Sequence, residues 1–391
     1  MSRTAAPGAA RPLLLRRMNE RTVLETIRER APISRAEIAR TAGISKPTVS
    51  LALQALLDAG LVRETGPASE GPTFGATFFE ADPDAAAIVA VDIGARYMRV
   101  AVADVSGAVR AREDVRHDNR SLSSLLRTLP AATRRVVAAA GVAPRRLACA
   151  VAGVPGVVDP ATGKVSLAEN VPGLDGSQVA PRIQRVLGVE TVAFNDVNLA
   201  ALGEREHGVA QGVENFVFVS IGTGLGAGVV VAGELLAGNH GAAGELDFAR
   251  GERAGDDPAA PAISDYAAQA VRTAGNVLTK LRPPYDTISV FELARAGDPV
   301  ALAVVDEVAR RICVHLFAIV AVVDPELVVL GGGIGSNADL LLPRVRERLT
   351  PVRAMPPRVE VSALGGDAVL AGAIAIGVGT AREVAFERGA A

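Results

Sequence analysis

The chain of 391 residues has few of the residue types that support several common kinds of site. It contains no tryptophan and only 3% aromatic residues, so base stacking on single-stranded nucleic acid is not expected. Its two cysteines, Cys149 and Cys313, lie in apolar runs. That setting favours buried thiols in a reducing compartment, although a disulfide is the alternative. The four scattered histidines form no metal-ligand cluster with them.

A targeting signal and long apolar runs are lacking as well. The first twelve residues are rich in Ala, Arg and Pro and contain no apolar core of a signal peptide. Apolar stretches such as residues 316–323 are too short to cross a bilayer. We therefore expect a soluble, cytoplasmic protein with no membrane partner, and a flexible tail over residues 1–13.

The net charge is only −2, but its distribution is uneven. Residues 1–65 contain eleven basic and six acidic residues, so this segment carries +5 and the rest of the chain −7. A basic end on an acidic body suits a protein that docks one end on phosphates. The alternative is an ordinary solvated helix face.

Two helices are predicted at the start of the chain. Apolar residues recur at helical spacing over residues 14–30, and Pro32 ends that pattern. Ser34, followed three residues later by Glu37, is typical of a capping box that starts a second helix over residues 35–41.

A third helix follows after a tight turn at Gly43. Ser45 predicts its N-cap and Pro47 falls in its first turn, where a missing N–H costs little. Helix, turn and helix at this spacing, with a polar leading edge, predict a DNA-reading unit, although any small three-helix bundle shows a similar pattern. Gln54 could reach an adenine edge. The residues expected to contact DNA are Arg35, Ser45, Lys46, Thr48, Ser50 and Gln54.

Turn residues and alternating strands over residues 61–79 suggest a β-wing that completes a domain of residues 14–82. From Ala87 onward, three apolar strands form a predicted β-meander, which a helix over residues 122–140 and another strand follow. Strands that alternate with helices favour an α/β architecture. The chain is long enough for two or three domains with their own cores.

Glycine-rich turns are predicted in the second half of the chain. Residues 220–228 read SIGTGLGAG after a predicted strand, and further glycines lead to Glu245. Glycines let the backbone approach a ligand and turn N–H groups toward anionic oxygens. The alternative is a set of tight turns between packed strands. Another glycine turn at residues 331–333 follows the strand ELVV.

These motifs together resemble the ROK family, which contains repressors, open reading frames of unknown role and sugar kinases. The similarity covers about residues 14–375 and rests on the helix-turn-helix, the DIG of residues 92–94 and the GTGxGxG run that continues to AGE. It implies an α/β fold: an N-terminal winged helix-turn-helix, then a two-lobed actin/hexokinase-like (ribonuclease H-like) domain. The second domain would span residues 86–391, with its lobes divided near residue 196.

The resemblance also implies site residues. In the family's kinases the aspartate that matches Asp196 is the general base, and in its repressors it accepts a sugar hydroxyl; turn or cap roles are the alternatives. The implied sugar ligands are Asn170, Asn195, Asp196 and Glu245. The residues similar to the phosphate loops are Asp92, Gly94, Gly222, Thr223 and Gly224.

Four departures from the family pattern bear on function. Ala95 and Arg96 stand where kinases have Gly and Thr at the first phosphate loop. Phe248 replaces a zinc-binding histidine, and residues 250–265 contain no cysteine, so we expect no zinc. Asp265 could approximate a sugar-binding glutamate. The wing tip, residues 70–74, lacks the family's arginine, which puts minor-groove reading in question.

The favoured hypothesis is a DNA-binding transcriptional regulator of the repressor type, controlled by a sugar or sugar derivative, with no catalytic residue and no cofactor. The main alternative is a sugar kinase that uses ATP and Mg²⁺, with Asp196 as its base and an appended DNA-binding domain. A third hypothesis is a DNA-binding scaffold that needs no ligand. We expect a homodimer or homotetramer on double-stranded DNA, because such proteins commonly read two half-sites.

Overall fold

The computed structural model describes residues 10–67, 76–117, 121–168, 170–246, 254–350 and 356–389. Its N-terminal unit has three helices and a small sheet of strand order β1-β3-β2. The elements are α1 (Ala10–Arg30), β1 (Ile33–Ser34), α2 (Arg35–Ala42), α3 (Lys46–Asp58), β2 (Val62–Pro67) and β3 (Thr77–Ala81). Residues 10–13, predicted as part of a flexible tail, are helical. The wing strands are present, and the wing tip at residues 70–74 lies outside the described residues.

Local signals set the boundaries of these helices. The predicted capping box is confirmed, because the Ser34 hydroxyl accepts the N–H of Glu37 and the Glu37 carboxylate accepts the N–H of Ser34. Gly43 ends α2 with φ +66°, a backbone conformation that side chains disfavour. The Ser45 hydroxyl accepts the N–H of Thr48 at 3.4 Å and caps α3.

The first lobe is a five-stranded sheet of order β10-β7-β4-β5-β6. Strands β4, β5 and β6 form the predicted antiparallel meander, whereas β7 and β10 run parallel to β4. The strands are β4 (Ala87–Ile93), β5 (Tyr97–Asp104), β6 (Val109–Arg116), β7 (Leu147–Val154) and β10 (Glu190–Asn195). Helices α4 (Leu122–Ala139) and α5 (Val179–Leu187) cover one face, and β8 (Val157–Val158) and β9 (Val165–Ser166) form a short hairpin.

The second lobe is another five-stranded sheet, of order β13-β12-β11-β14-β15. The strands are β11 (Phe216–Ile221), β12 (Leu225–Val231), β13 (Glu234–Leu235), β14 (Leu327–Gly331) and β15 (Arg358–Val361). The helices are α7 (Ala260–Thr273), α8 (Thr287–Arg295), α9 (Pro299–Val323), α10 (Gly332–Gly335) and α11 (Ala338–Leu349). The longest of these helices is α9, and its buried residues form the centre of this lobe's core.

Two helices lie against each other beside the first lobe. They are α6 (Asp196–His207) and α12 (Ala368–Gly389). A side chain at Gly203 would overlap the carbonyl oxygen of Ala368, and one at Gly372 would overlap that of Leu199, so the two backbones are in direct contact. After the second lobe, the chain thus returns to the first lobe through α12. The expected single division of the lobes near residue 196 does not account for this return.

By length and composition alone, the segment 365–389 could cross a membrane. Here it forms α12, whose buried residues Leu370, Ala373 and Ile374 pack on the first sheet. Further along, Ala385 and Phe386 share one apolar core with residues of α1 and α3. Helix α12 therefore joins the N-terminal unit to the body.

Candidate functional site

The outward face of α3 presents the leading edge predicted to contact DNA. Ser45, Lys46 and Gln54 are exposed, whereas Thr48 and Ser50 are partly exposed. On the opposite face, the buried residues of α3 pack into the core of the N-terminal unit. Arg35, the first residue of α2, is also exposed. The described surface leaves this edge open to solvent, as a helix that enters a major groove requires.

Several polar side chains on this edge already have intramolecular partners. The hydroxyls of Ser45 and Thr48 are 2.8 Å apart, and Ser50 donates to the carbonyl of Lys46 at 3.0 Å. Gln54 donates through Nε2 to Asp58 at 2.8 Å. A bidentate contact from Gln54 to adenine therefore requires it to exchange this partner.

A polar cleft of about 190 Å³ lies between the two lobes. The first lobe contributes loop residues around the β8–β9 hairpin, and the second contributes the glycine turn between β11 and β12. The predicted ligand-binding residues Asn170, Asn195, Asp196 and Glu245 all line it, together with Gly222, Thr223 and Gly224. The structure thus brings together residues separated by up to 75 positions in the chain.

Asp196 is the first residue of α6 and faces this cleft. Its Oδ1 accepts the N–H of Val197 at 2.9 Å. Burial raises the pKa of Asp196 to about 7, and the negative charges of Asp92 and Glu245 add to that effect. Near neutral pH its carboxyl group can therefore either donate a hydrogen bond to a ligand hydroxyl or accept one.

Asn195 positions Asp196 as the N-cap of α6. Its Oδ1 accepts the N–H of Asn198 at 2.9 Å, and its Nδ2 donates to the carbonyl of Gly156 at 2.9 Å. These are the contacts of a capping residue, and they fix the cleft wall. Asn170 is exposed at the cleft and Glu245 is partly exposed.

The glycine turn is anchored at both ends. Gly222 donates to the carbonyl of Gly224 at 3.0 Å, and its own carbonyl accepts the N–H of Ala260 at 2.8 Å, where α7 begins. Thr223 between them is exposed. The second glycine turn lies nearby, since a side chain at Gly222 would be 3.9 Å from the backbone nitrogen of Gly333.

The first phosphate-loop-like segment, residues 92–94, contains a carboxylate that is already paired with a basic side chain. Asp92 is 3% exposed and lies directly opposite Arg99 in the β4–β5 register. Their Oδ2 and Nη1 atoms are 2.6 Å apart, and Arg99 also reaches Asp114 at 3.4 Å. Burial raises the pKa of Asp92, and the guanidinium of Arg99 opposes that rise. Gly94 turns between these strands, and its N–H bonds to the carbonyl of Tyr97.

Sequence reasoning missed Arg99. The signal was present, because an arginine in the apolar strand MRVAVADV follows Asp92 at the distance that a tight hairpin places opposite it. A carboxylate at a phosphate loop can help to hold Mg²⁺ beside nucleotide phosphates. Here a resident guanidinium occupies that carboxylate.

The segment expected to lack zinc is only partly described. Phe248 lies outside the described residues. Next to that gap, Arg311 donates to the carbonyl of Asp257 at 2.9 Å, and the ring Nε2 of His315 is 3.1 Å from the carbonyl oxygen of Asp256. Within the described ranges, no three His, Cys, Asp or Glu residues are placed to hold a metal ion.

Two other expectations have clear outcomes. Asp265 lines a separate pocket beside Arg272 and Arg311 rather than the cleft, so its suggested place among the sugar ligands is wrong. That pocket is lined mostly by other residues of α7 and by Arg311 of α9. Cys149 and Cys313 are free and buried, and burial raises the pKa of each thiol to about 11.

Comparison with known proteins agrees with this architecture. Residues 88–378 match the ROK family and residues 19–65 match a helix-turn-helix domain. A protein named xylose repressor from Caldicellulosiruptor bescii is 26% identical over 387 residues, which cover 93% of this chain and 96% of the relative. A glucokinase from Halalkalibacterium halodurans is 28% identical over 243 residues, which cover 56% of this chain and 73% of the enzyme.

Solved structures give the same result. A ROK family transcriptional regulator, described as a homologue of the E. coli MLC protein, has a TM-score of 0.75 at 22% identity, over 96% of this chain and 99% of its own. A ROK family glucokinase from Streptomyces griseus, in complex with glucose and AMPPNP, has a TM-score of 0.64 at 25% identity, over 74% and 98%. Because the family match spans most of the chain, this protein belongs to the ROK family and carries a helix-turn-helix domain ahead of its two-lobed body.

Proposed function

We propose that the protein is a transcriptional repressor that reads double-stranded DNA with α3 and changes its DNA affinity when a small sugar binds between the lobes. The observation that carries this proposal is the open leading edge of α3 on a unit that shares an apolar core with the first lobe and α12 of a body whose lobes enclose a polar cleft. The xylose repressors match nearly the full length of the chain, including the DNA-binding unit.

The cleft suits a small ligand rich in hydroxyl groups. Amide, carboxyl, hydroxyl and backbone N–H groups surround it, and each sugar hydroxyl both donates and accepts a hydrogen bond. Its volume of about 190 Å³ lies below the roughly 300–1,000 Å³ of pockets for drug-sized molecules. Given the names of the relatives, a pentose such as xylose is our first candidate.

The ligand signal has a short physical route to the DNA-binding unit. Asp196 begins α6 at the cleft, and α6 contacts α12 backbone to backbone at Gly203 and Gly372. The buried carboxylate of Glu204 on α6 also accepts the N–H of Leu364 at 3.1 Å, just before α12 begins. A shift of α6 is therefore expected to move α12 with it, because packed helices slide as rigid bodies.

The far end of α12 contacts α1. Glu383 accepts two hydrogen bonds of 2.7 Å from the guanidinium of Arg21. The same guanidinium lies 4.8 Å from the ring centroid of Phe386, and that of Arg17 lies 5.5 Å from it. We propose that lobe closure on a sugar repositions α1, and with it α3, through this contact. Allosteric couplings of this kind are commonly about 1–3 kcal/mol.

The kinase remains a second candidate because Asp196 has the pKa of an effective general base and glucokinases are among the relatives. The Asp92–Arg99 pair and the residues Ala95 and Arg96 weigh against it. We therefore propose that the kinase-like body senses its ligand without catalysis and uses no cofactor or structural zinc.

We also propose that the protein is cytoplasmic and acts as a homodimer or homotetramer, so that two DNA-binding units meet two half-sites.

Fluorescence anisotropy with a labelled duplex from the protein's own promoter region tests the proposal. We expect binding at low salt that a sugar weakens or strengthens, and a thermal shift with that sugar. Salt must be varied, because phosphate contacts make affinity fall as salt rises. Failure to bind the promoter duplex even at low salt would refute the DNA-reading role, whereas DNA binding without any effect of sugars would favour the ligand-independent scaffold.

A further inference from the structure

One apolar side chain projects from the centre of the DNA-reading edge. Leu51 is 74% exposed, whereas Val49, Leu53 and Leu56 on the other face of α3 are at most 2% exposed. Leu51 lies between Pro47 and Gln54 on the outward face, at the spacing of successive helical turns. It does not belong to the core of the N-terminal unit.

A single exposed leucine is ordinary on a protein surface. What distinguishes Leu51 is its neighbourhood. Ser50 is bonded to the carbonyl of Lys46, the hydroxyls of Ser45 and Thr48 are bonded to each other, and Gln54 is bonded to Asp58. These bonds within the helix restrict the directions in which the polar side chains can meet a base. Leu51 projects from the same edge without such a bond.

We propose that Leu51 is a specificity-determining residue that reads a thymine through its C5-methyl group in the major groove. This inference rests on the proposed DNA binding and deepens it. A leucine side chain cannot match the donors and acceptors of base edges. The apolar feature that a base pair presents in the major groove is the thymine methyl group.

The helix also predicts where that thymine lies. Leu51 precedes Gln54 by three residues, a rise of about 4.5 Å at about 1.5 Å per residue. Successive base pairs are about 3.4 Å apart. The thymine should therefore lie one or two base pairs from the base that Gln54 faces.

The test uses the full-length protein and a duplex chosen by selection from a randomised pool, starting from the promoter fragment. Each thymine of the selected site is replaced in turn by deoxyuridine, which removes only the methyl group. We expect one replacement to weaken binding by the wild-type protein about threefold to fivefold, the effect of one buried methyl group. The Leu51→Ala variant should bind the thymine and deoxyuridine duplexes with equal affinity.

Two control variants make the result specific. Gln54→Ala should keep the deoxyuridine effect, since Leu51 is still present. Leu278→Ala removes an even more exposed leucine, 90% exposed in the second lobe, and should behave as wild type. Unchanged thermal melting of Leu51→Ala would show that the variant is folded.

The outcomes separate this inference from the proposed function. If wild-type protein binds the selected duplex and no deoxyuridine replacement matters, or if Leu51→Ala shows the same loss as wild type, the thymine contact is refuted and DNA binding stands. If no duplex binds at low salt, both ideas fail together.

Discussion

Asp196 should make the stability of this protein fall as the pH rises. Its folded-state pKa is about 7, against 3.8 for an ordinary aspartate, because burial and two nearby carboxylates disfavour its charge. The folded protein therefore binds a proton that the unfolded chain has already lost in this window. The resulting stabilisation is complete below about pH 4, decreases steadily above that pH, and is fully lost once the pH exceeds about 7.

The Asp196→Asn variant removes this dependence. The shift corresponds to at most about 4 kcal/mol at 1.36 kcal/mol per unit. The cleft is open to water, which screens part of that penalty, so we expect the variant to be about 2 kcal/mol more stable than wild type at pH 8.5. Asparagine retains an oxygen that can accept the N–H of Val197. Its sugar affinity should nevertheless fall, because the amide has one acceptor oxygen, which the N–H of Val197 engages, whereas the carboxylate has a second oxygen for the ligand.

Thermal or urea unfolding of both proteins from pH 5.5 to 8.5 measures the effect. The stability difference should be about half of its full size at pH 5.5 and grow to a plateau above pH 7.5. The control is Asp159→Asn, because hydrogen bonds to Thr162 lower the pKa of Asp159 and keep it charged throughout this range. A difference between Asp196→Asn and wild type that does not change with pH, or a variant less stable than wild type at pH 8.5, would refute the reasoning.

Three further predictions concern the other parts of the proposal. Glu383→Gln removes an exposed ion pair worth up to about 1 kcal/mol, so it should reduce the ratio of DNA affinities with and without sugar while sugar-induced thermal shifts persist. Exchanging the charges in the double variant Arg21→Glu with Glu383→Arg should restore that ratio. An unchanged ratio in Glu383→Gln would contradict the route through α12. Lys46→Ala should weaken binding to all duplexes and flatten the salt dependence, whereas Gln54→Ala should relax the preference at one base; identical losses on every duplex would show that these roles are wrong. A coupled assay with ATP, Mg²⁺ and a panel of sugars should show no turnover, and turnover that Asp196→Asn abolishes would instead identify a kinase.

Much of the DNA-reading unit could be predicted because its signals are local. Ser34 and Glu37 are three residues apart and form their capping box within one turn. Gly43 acts through its own backbone, and the hydroxyl of Ser45 accepts the N–H of Thr48, only three residues away. Even the bond from Gln54 to Asp58 joins residues one turn apart. In the body, the cap role of Asn195 is local in the same way, and it was one of the alternatives that the sequence left open.

Pairings beyond one helical turn were harder to foresee. Asp92 and Arg99, seven residues apart, meet because the β4–β5 hairpin pairs them in register, and Arg21 meets Glu383 across 362 positions of the chain. Asp265 has a suitable side chain for sugar binding, yet it lines another pocket, formed mostly by α7 and Arg311. Residue type and spacing do not determine such outcomes, because they depend on how distant elements pack.

The sequence by itself determined the order of the two domains, the caps and turns of the helix-turn-helix, and the glycine turns that line the cleft, since short segments form these features from their own residues. Only the tertiary structure decided that Arg21 pairs with Glu383, that the pKa of Asp196 rises, and that α12 lies between the cleft and the DNA-binding unit. Charge pairing and burial depend on distances between residues far apart in the chain, and those distances exist only once the chain has folded.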